Sequence, residues 1–134
     1  MIHDRSAVAA GLAAILALIL SSGHGHAAAE PSPFGLWARG DGKARVRVER
    51  CGSDLCAVNT WIRPGTDGEK AGDKLVMSVA PLGAGRWTGT AFDPQRDLSY
   101  RLTMTVRDAS MTTRGCVLAG LLCKDMGWTR LPGD

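Results

Sequence analysis

From Lys43 to Arg50 the chain alternates without a break, with Ala44, Val46 and Val48 on one side and Arg45, Arg47 and Glu49 on the other. A period of two is that of a strand with one buried and one wetted face. Residues 98–107 repeat it: Leu98, Tyr100, Leu102, Met104 and Val106 face one way, Ser99, Arg101, Thr103, Thr105 and Arg107 the other. A tight turn at Asp108 and Ala109 sets Val106 opposite Met111, Met104 opposite Thr113, Leu102 opposite Gly115 and Tyr100 opposite Val117. The apolar faces of the two strands then coincide. Further strands are predicted over 34–38, 55–62, 74–79, 86–92 and 125–131, separated by turn-rich pieces at 40–42, 64–68, 81–85 and 93–94. Beyond residue 29 no stretch keeps a helical period, apart from a short turn near Glu69. Eight short strands predict an all-β fold, a small antiparallel up-and-down barrel, because closure removes the exposed edges of an open sheet.

The start of the chain has a different pattern. One arginine (Arg5), the apolar run Ala7 to Leu20 and then Ala27-Ala28-Ala29 read as a secretory signal peptide over residues 1–29, cleaved after Ala29. The run is shorter than the roughly 20 residues that span a bilayer, and no cysteine precedes Cys51 to carry a lipid anchor. The expectation is a single exported domain, residues 30–134, periplasmic or secreted, with no transmembrane segment in the mature chain. His3, His24 and His26 all precede the cut. The working protein is thus expected to lack the commonest general base and metal ligand.

Charge changes the picture little. Sixteen Lys and Arg against thirteen Asp and Glu give +3, and the arginines are spread along the chain. That distribution fits a solvated surface and argues against a nucleic-acid partner. A loose preference for anionic lipid or an envelope polymer stays open.

Cys51, Cys56, Cys116 and Cys123 are an even set in a chain predicted to be exported, which favours disulfides. Three pairings are open, and the local one, Cys51 with Cys56 and Cys116 with Cys123, is favoured. Zinc is disfavoured by the C-x4-C and C-x6-C spacings, and a thioredoxin-like role by the lack of C-x-x-C. If Cys51 and Cys56 lie directly opposite, Val46 faces Trp61 and Val48 faces Asn59, turning Asn59 and Trp61 inward. A slip of one residue sends Val58, Thr60 and Ile62 inward and Trp61 outward. Both registers stay open.

Gly35-Leu36-Trp37 opens the first strand and Trp128-Thr129-Arg130 closes the last. Both are similar to lipocalin-like barrels, in which a G-x-W tryptophan plugs the closed end and an arginine of the final strand covers its ring. The resemblance gives Trp37, Trp128 and Arg130 structural roles: a guanidinium can stack on an indole and bond nearby carbonyls. A longer set of pieces runs along nearly the whole mature chain. It comprises Gly35-Leu36-Trp37, Cys51-Gly52 with Leu55-Cys56, Trp61-Ile62, Trp87-Thr88-Gly89, Asp93-Pro94 before Tyr100, Arg114-Gly115-Cys116, Cys123 and Trp128-Thr129-Arg130. Their order resembles the bacterial exported family named domain of unknown function 2147. Such sequences often have a glycine turn before the tyrosine, where this chain has Gln95 to Ser99. The resemblance implies an exported barrel and supplies no catalytic residues.

The function expected from these features is a non-enzymatic binding module holding a small apolar or amphipathic ligand, such as an acyl chain. Asn59, Trp61, Trp87, Tyr100, Leu102, Met104 and Gly115 are the candidate lining, joined by Met111, and Gly89, Ala91 and Gly115 leave room inside. No cofactor, metal site or catalytic residue is expected. The carboxylates Glu49, Asp67, Glu69, Asp73 and Asp93 fall on a solvent face or in turns. The alternative is a structural or interaction domain of the cell envelope with a filled barrel, which meets another protein or a polymer through its outer arginines and the 64–72 loop.

Overall fold

Eight strands follow one another as the alternation predicts: β1 (Gly35–Arg39), β2 (Ala44–Cys51), β3 (Asp54–Ile62), β4 (Lys74–Gly83), β5 (Arg86–Asp93), β6 (Leu98–Arg107), β7 (Ser110–Val117) and β8 (Leu122–Arg130). Each pairs antiparallel with the next, and β1 pairs with β8 to close a barrel. The computed structural model describes residues 22, 23, 25 and 31–133. Most of the predicted signal peptide, its cleavage site and all three histidines lie outside the described residues.

Where turn chemistry is simple, the register follows from the sequence. Val106 lies opposite Met111, Met104 opposite Thr113 and Leu102 opposite Gly115. Two boundaries differ from the pattern by more than one residue. β4 continues through Pro81 to Gly83 with an irregularity there, and β8 begins at Leu122 rather than at residue 125. Around Glu69 there are turns without a helix, and the one helical turn among the described residues is Leu118–Gly120.

β2 and β3 adopt neither expected register throughout. Val48 pairs with Ala57 and Val46 with Asn59, so Cys51 lies opposite Asp54 and the Cys51–Cys56 bridge crosses the ladder diagonally. A bulge between Arg45 and Val46 then shifts the pairing, placing Arg45 opposite Trp61 and Ala44 opposite Ile62. One extra residue reverses the faces beyond it. Asn59 therefore shares the face of Val46, while Trp61 points outward, 39 % exposed, beneath the Arg45 guanidinium. The second bridge joins Cys116 and Cys123, which are direct partners across β7 and β8.

Up-and-down order puts the turns at 40–43, 63–73, 94–97 and 118–121 at one end, and those at 52–53, 84–85 and 108–109 at the other. The second end is closed. Residues 31–34 cross it, with Pro33 fully buried, its carbonyl accepting the Trp37 indole N–H at 2.8 Å. Phe34 meets Trp87 edge to face, with centroids 6.4 Å apart, and the Arg50 guanidinium lies over its ring, 5.3 Å from the centroid. Trp37, Met104 and Val106 are almost wholly buried above this strap. Each such side chain contributes about 1.5–3 kcal/mol by leaving water.

Candidate functional site

Above the floor the barrel is not filled by its own side chains. A cavity of about 620 Å³ runs from Trp37 to the open end. Alternation supplies its walls: Val46 and Val48 from β2, Ala57 from β3, Leu75 and Met77 from β4, Leu102 and Met104 from β6, Met111 from β7, and Met126 and Trp128 from β8. The Trp128 indole N–H donates to the Thr113 hydroxyl at 3.0 Å, which satisfies the polar atoms of this stretch of wall. The interior is thus apolar and largely uncharged, within the range of about 300–1,000 Å³ of small-molecule sites.

The rim is charged. Arg39, at the end of β1, donates two hydrogen bonds to Glu69 at 2.6 and 2.8 Å and two more to Asp41 at 2.9 and 3.0 Å. Arg96 bonds Asp93 at 2.6 Å and the Gly68 carbonyl, and Gln95 pairs with the backbone of Lys74 through both ends of its amide. These contacts tie the 63–73 loop across the mouth. The Arg39 guanidinium holds the Glu69 carboxyl below the usual glutamate range, despite partial burial. Burial raises the Asp41 carboxyl, but Arg39 and the Lys43 N–H outweigh it and the net shift is downward. Burial, with Asp93 nearby, raises the Tyr100 phenol. A second, polar hollow of about 760 Å³ lies outside this rim, below the same loop.

The candidate residues divide. Asn59, Tyr100, Leu102, Met104 and Gly115 line the cavity, together with Met111, Trp37 and Trp128. Trp61 does not, because the bulge at Thr60 of β3 turns it out, and Trp87 does not, because it packs against Phe34 at the closed end. The space expected from glycines is also elsewhere. A Cβ on Gly89 would collide with the Ser78 carbonyl, so Gly89 permits close packing of β4 on β5 and adds no volume. At Gly115 a Cβ would meet the Tyr100 ring at 3.0 Å, so the ring occupies that gap. Among the described residues no three His, Cys, Asp or Glu side chains form a metal-binding group. No described helix is long and apolar enough to cross a membrane.

The arginines and carboxylates of the rim escaped the sequence reading, since Arg39 and Glu69 are 30 residues apart. Lys124 lay one residue before the predicted start of the last strand at residue 125. The alternation Leu122, Lys124, Met126, Trp128 would have placed it on the inner face. Beside the mouth, Leu118, Leu121 and Leu122 are 70, 88 and 61 % exposed on the turn pinned by Cys116 and Cys123.

Residues 35–130 match the family described as an uncharacterized protein conserved in bacteria (DUF2147). No curated protein and no solved structure matches the chain.

Proposed function

We propose that this chain, which belongs to the DUF2147 family of uncharacterized proteins conserved in bacteria, is an exported, non-enzymatic binding module that takes an apolar or amphipathic small molecule into its barrel. One observation carries the reading: an apolar cavity of about 620 Å³, floored by Trp37 and open at a charged rim. Such a shape suits a ligand with an apolar body and a polar end. Catalysis would have little to draw on, because Arg39, Glu69, Asp93 and Arg96 are committed to ion pairs that hold the mouth together. Two disulfides support an oxidising location, in keeping with residues 1–29 as a signal peptide.

Titration with a fluorescent fatty-acid probe tests this reading. Saturable binding at one site per chain, competed by an unlabelled acyl chain, is the expected result. Absence of binding by any apolar probe would overturn it and favour the interaction domain, for which the exposed leucines 118, 121 and 122 speak.

A further inference from the structure

Five residues line both the apolar cavity and the polar hollow outside it: Arg39, Glu69, Asp93, Arg96 and Lys124. They mark the boundary at which a bound amphiphile would change from tail to head. Four of them form two ion pairs, Arg39 with Glu69 at 2.6 Å and Arg96 with Asp93 at 2.6 Å. Lys124 is the fifth, and its side chain has no ion-pair or hydrogen-bond partner among the described residues. The remaining carboxylate of the cavity lining, Asp73, accepts the Lys70 N–H at one oxygen and keeps the other buried without a partner, and it makes no ion pair with Lys124 among the described residues.

Its position suits a ligand. On β8, Leu122, Lys124, Met126 and Trp128 all line the cavity, so the lysine continues the apolar inner face at the level of the mouth. Across the β7–β8 ladder it faces Gly115, which has no side chain to cover it. On the other flank of Gly115 lies the Tyr100 ring. Its hydroxyl also has no partner among the described residues, and burial keeps it protonated as a donor. An inner-face cation that forms no ion pair, at the junction of an apolar tube and solvent, is complementary to an acid on the end of a chain.

Resting on the binding reading above, we infer that the ligand is a single-chain amphiphile with an acidic headgroup. Its tail runs down to Trp37 and its head is held by Lys124.

The test compares dodecanoate, dodecyl phosphate and dodecanol, by calorimetry or probe displacement, on wild type, Lys124→Gln and Lys124→Arg. Because Lys124 is solvent-exposed, both variants should keep the wild-type unfolding midpoint. Wild type is expected to favour the acids over dodecanol by about tenfold. Lys124→Gln should erase that preference while leaving dodecanol unchanged, and Lys124→Arg should restore most of it. The stronger of the two acids then identifies the headgroup as carboxylate or phosphate. Equal wild-type affinity for acids and alcohol, or equal losses in Lys124→Gln, would overturn the assignment of Lys124 and leave the cavity reading standing. Failure of all three to bind would overturn the cavity reading itself.

Discussion

Trp37 and Arg130 face one another across the β1–β8 seam that closes the barrel, with the guanidinium 4.2 Å from the centre of the indole. The same guanidinium donates to three carbonyls: Asp108 at 3.0 Å, Phe34 at 2.8 Å and Ser32 at 2.7 Å. It therefore joins the first strand, the last strand, the β6–β7 turn and the strap beneath the floor. Arg130→Ala should lower stability by about 1–3 kcal/mol, by exposing the ring and freeing three acceptors. Arg130→Lys should recover only part of the loss, since an ammonium cannot lie flat on the ring and reach all three carbonyls. Denaturant midpoints of the two variants check this, and a wild-type midpoint for Arg130→Ala would refute it.

The closed end was legible because its signals are local or carried by motif: G-x-W at the start, W-T-R at the end and a hairpin whose two-residue turn fixes the pairs from Val106–Met111 to Leu102–Gly115. β2 and β3 were less legible. Their alternation is clean on each strand, yet the bulge beside Val46 changes the pairing, and no residue pattern announces it. One facing from each rival register is thus realised, Asn59 inward from one and Trp61 outward from the other, although Asn59 lies opposite Val46 and not Val48. The turn before Tyr100, where a glycine is usual, is made by Asp97 at φ 51°, a left-handed conformation that aspartate tolerates. The rim is the least legible part. Its ion pairs join loops distant in sequence, and only closure of the barrel brings them to one mouth.

Glu69 makes the hold on the 63–73 loop pH-dependent. Its folded pKa lies below the ordinary value because Arg39 binds the charged form, so the unfolded chain takes up the proton first. The contribution is then complete above the ordinary glutamate pKa and is lost as pH falls through the depressed folded value. Glu69→Gln should cost about 1 kcal/mol at pH 7, near the upper end for a partly exposed pair. The wild-type advantage should vanish once the pH has fallen through that depressed folded value. Limited proteolysis within the loop, followed from pH 7 to pH 3, should show protection in wild type at neutral pH only. A pH-independent difference between the two proteins would refute the assignment.

The Cys116–Cys123 bridge closes a short loop around the leucine-bearing turn. The double change Cys116→Ser and Cys123→Ser should cost about 2 kcal/mol, the expectation for a loop of this size. The effect should be local, because the bridge sits at the mouth and not in the buried floor. Hydrogen exchange should rise at the start of β8 and stay slow around Met104 and Val106. Uniform acceleration over the whole barrel would contradict a local role.

Filling the cavity offers the sharpest separation between an open barrel and a packed one. Gly115 is the wrong place for it, since a larger side chain there strikes the Tyr100 ring before it reaches open space. Ala57 is better placed. It pairs with Val48 on one side and Leu75 on the other, all three line the cavity, and its methyl group leaves the wall low at mid-height. Ala57→Trp would project an indole into the volume that a ligand tail needs. In an open cavity of about 620 Å³ the ring should be accommodated with a stability change within about 1 kcal/mol, because no packed neighbour has to move. Uptake of a fluorescent acyl probe should fall by at least about tenfold, as the tail loses the apolar surface it would have buried. If the walls instead close on themselves in solution, the same substitution would overpack the core and cost about 1–3 kcal/mol. Measured together, probe affinity and unfolding midpoint decide the matter: lost binding with retained stability supports the open barrel, and lost stability in a protein that never bound the probe refutes it.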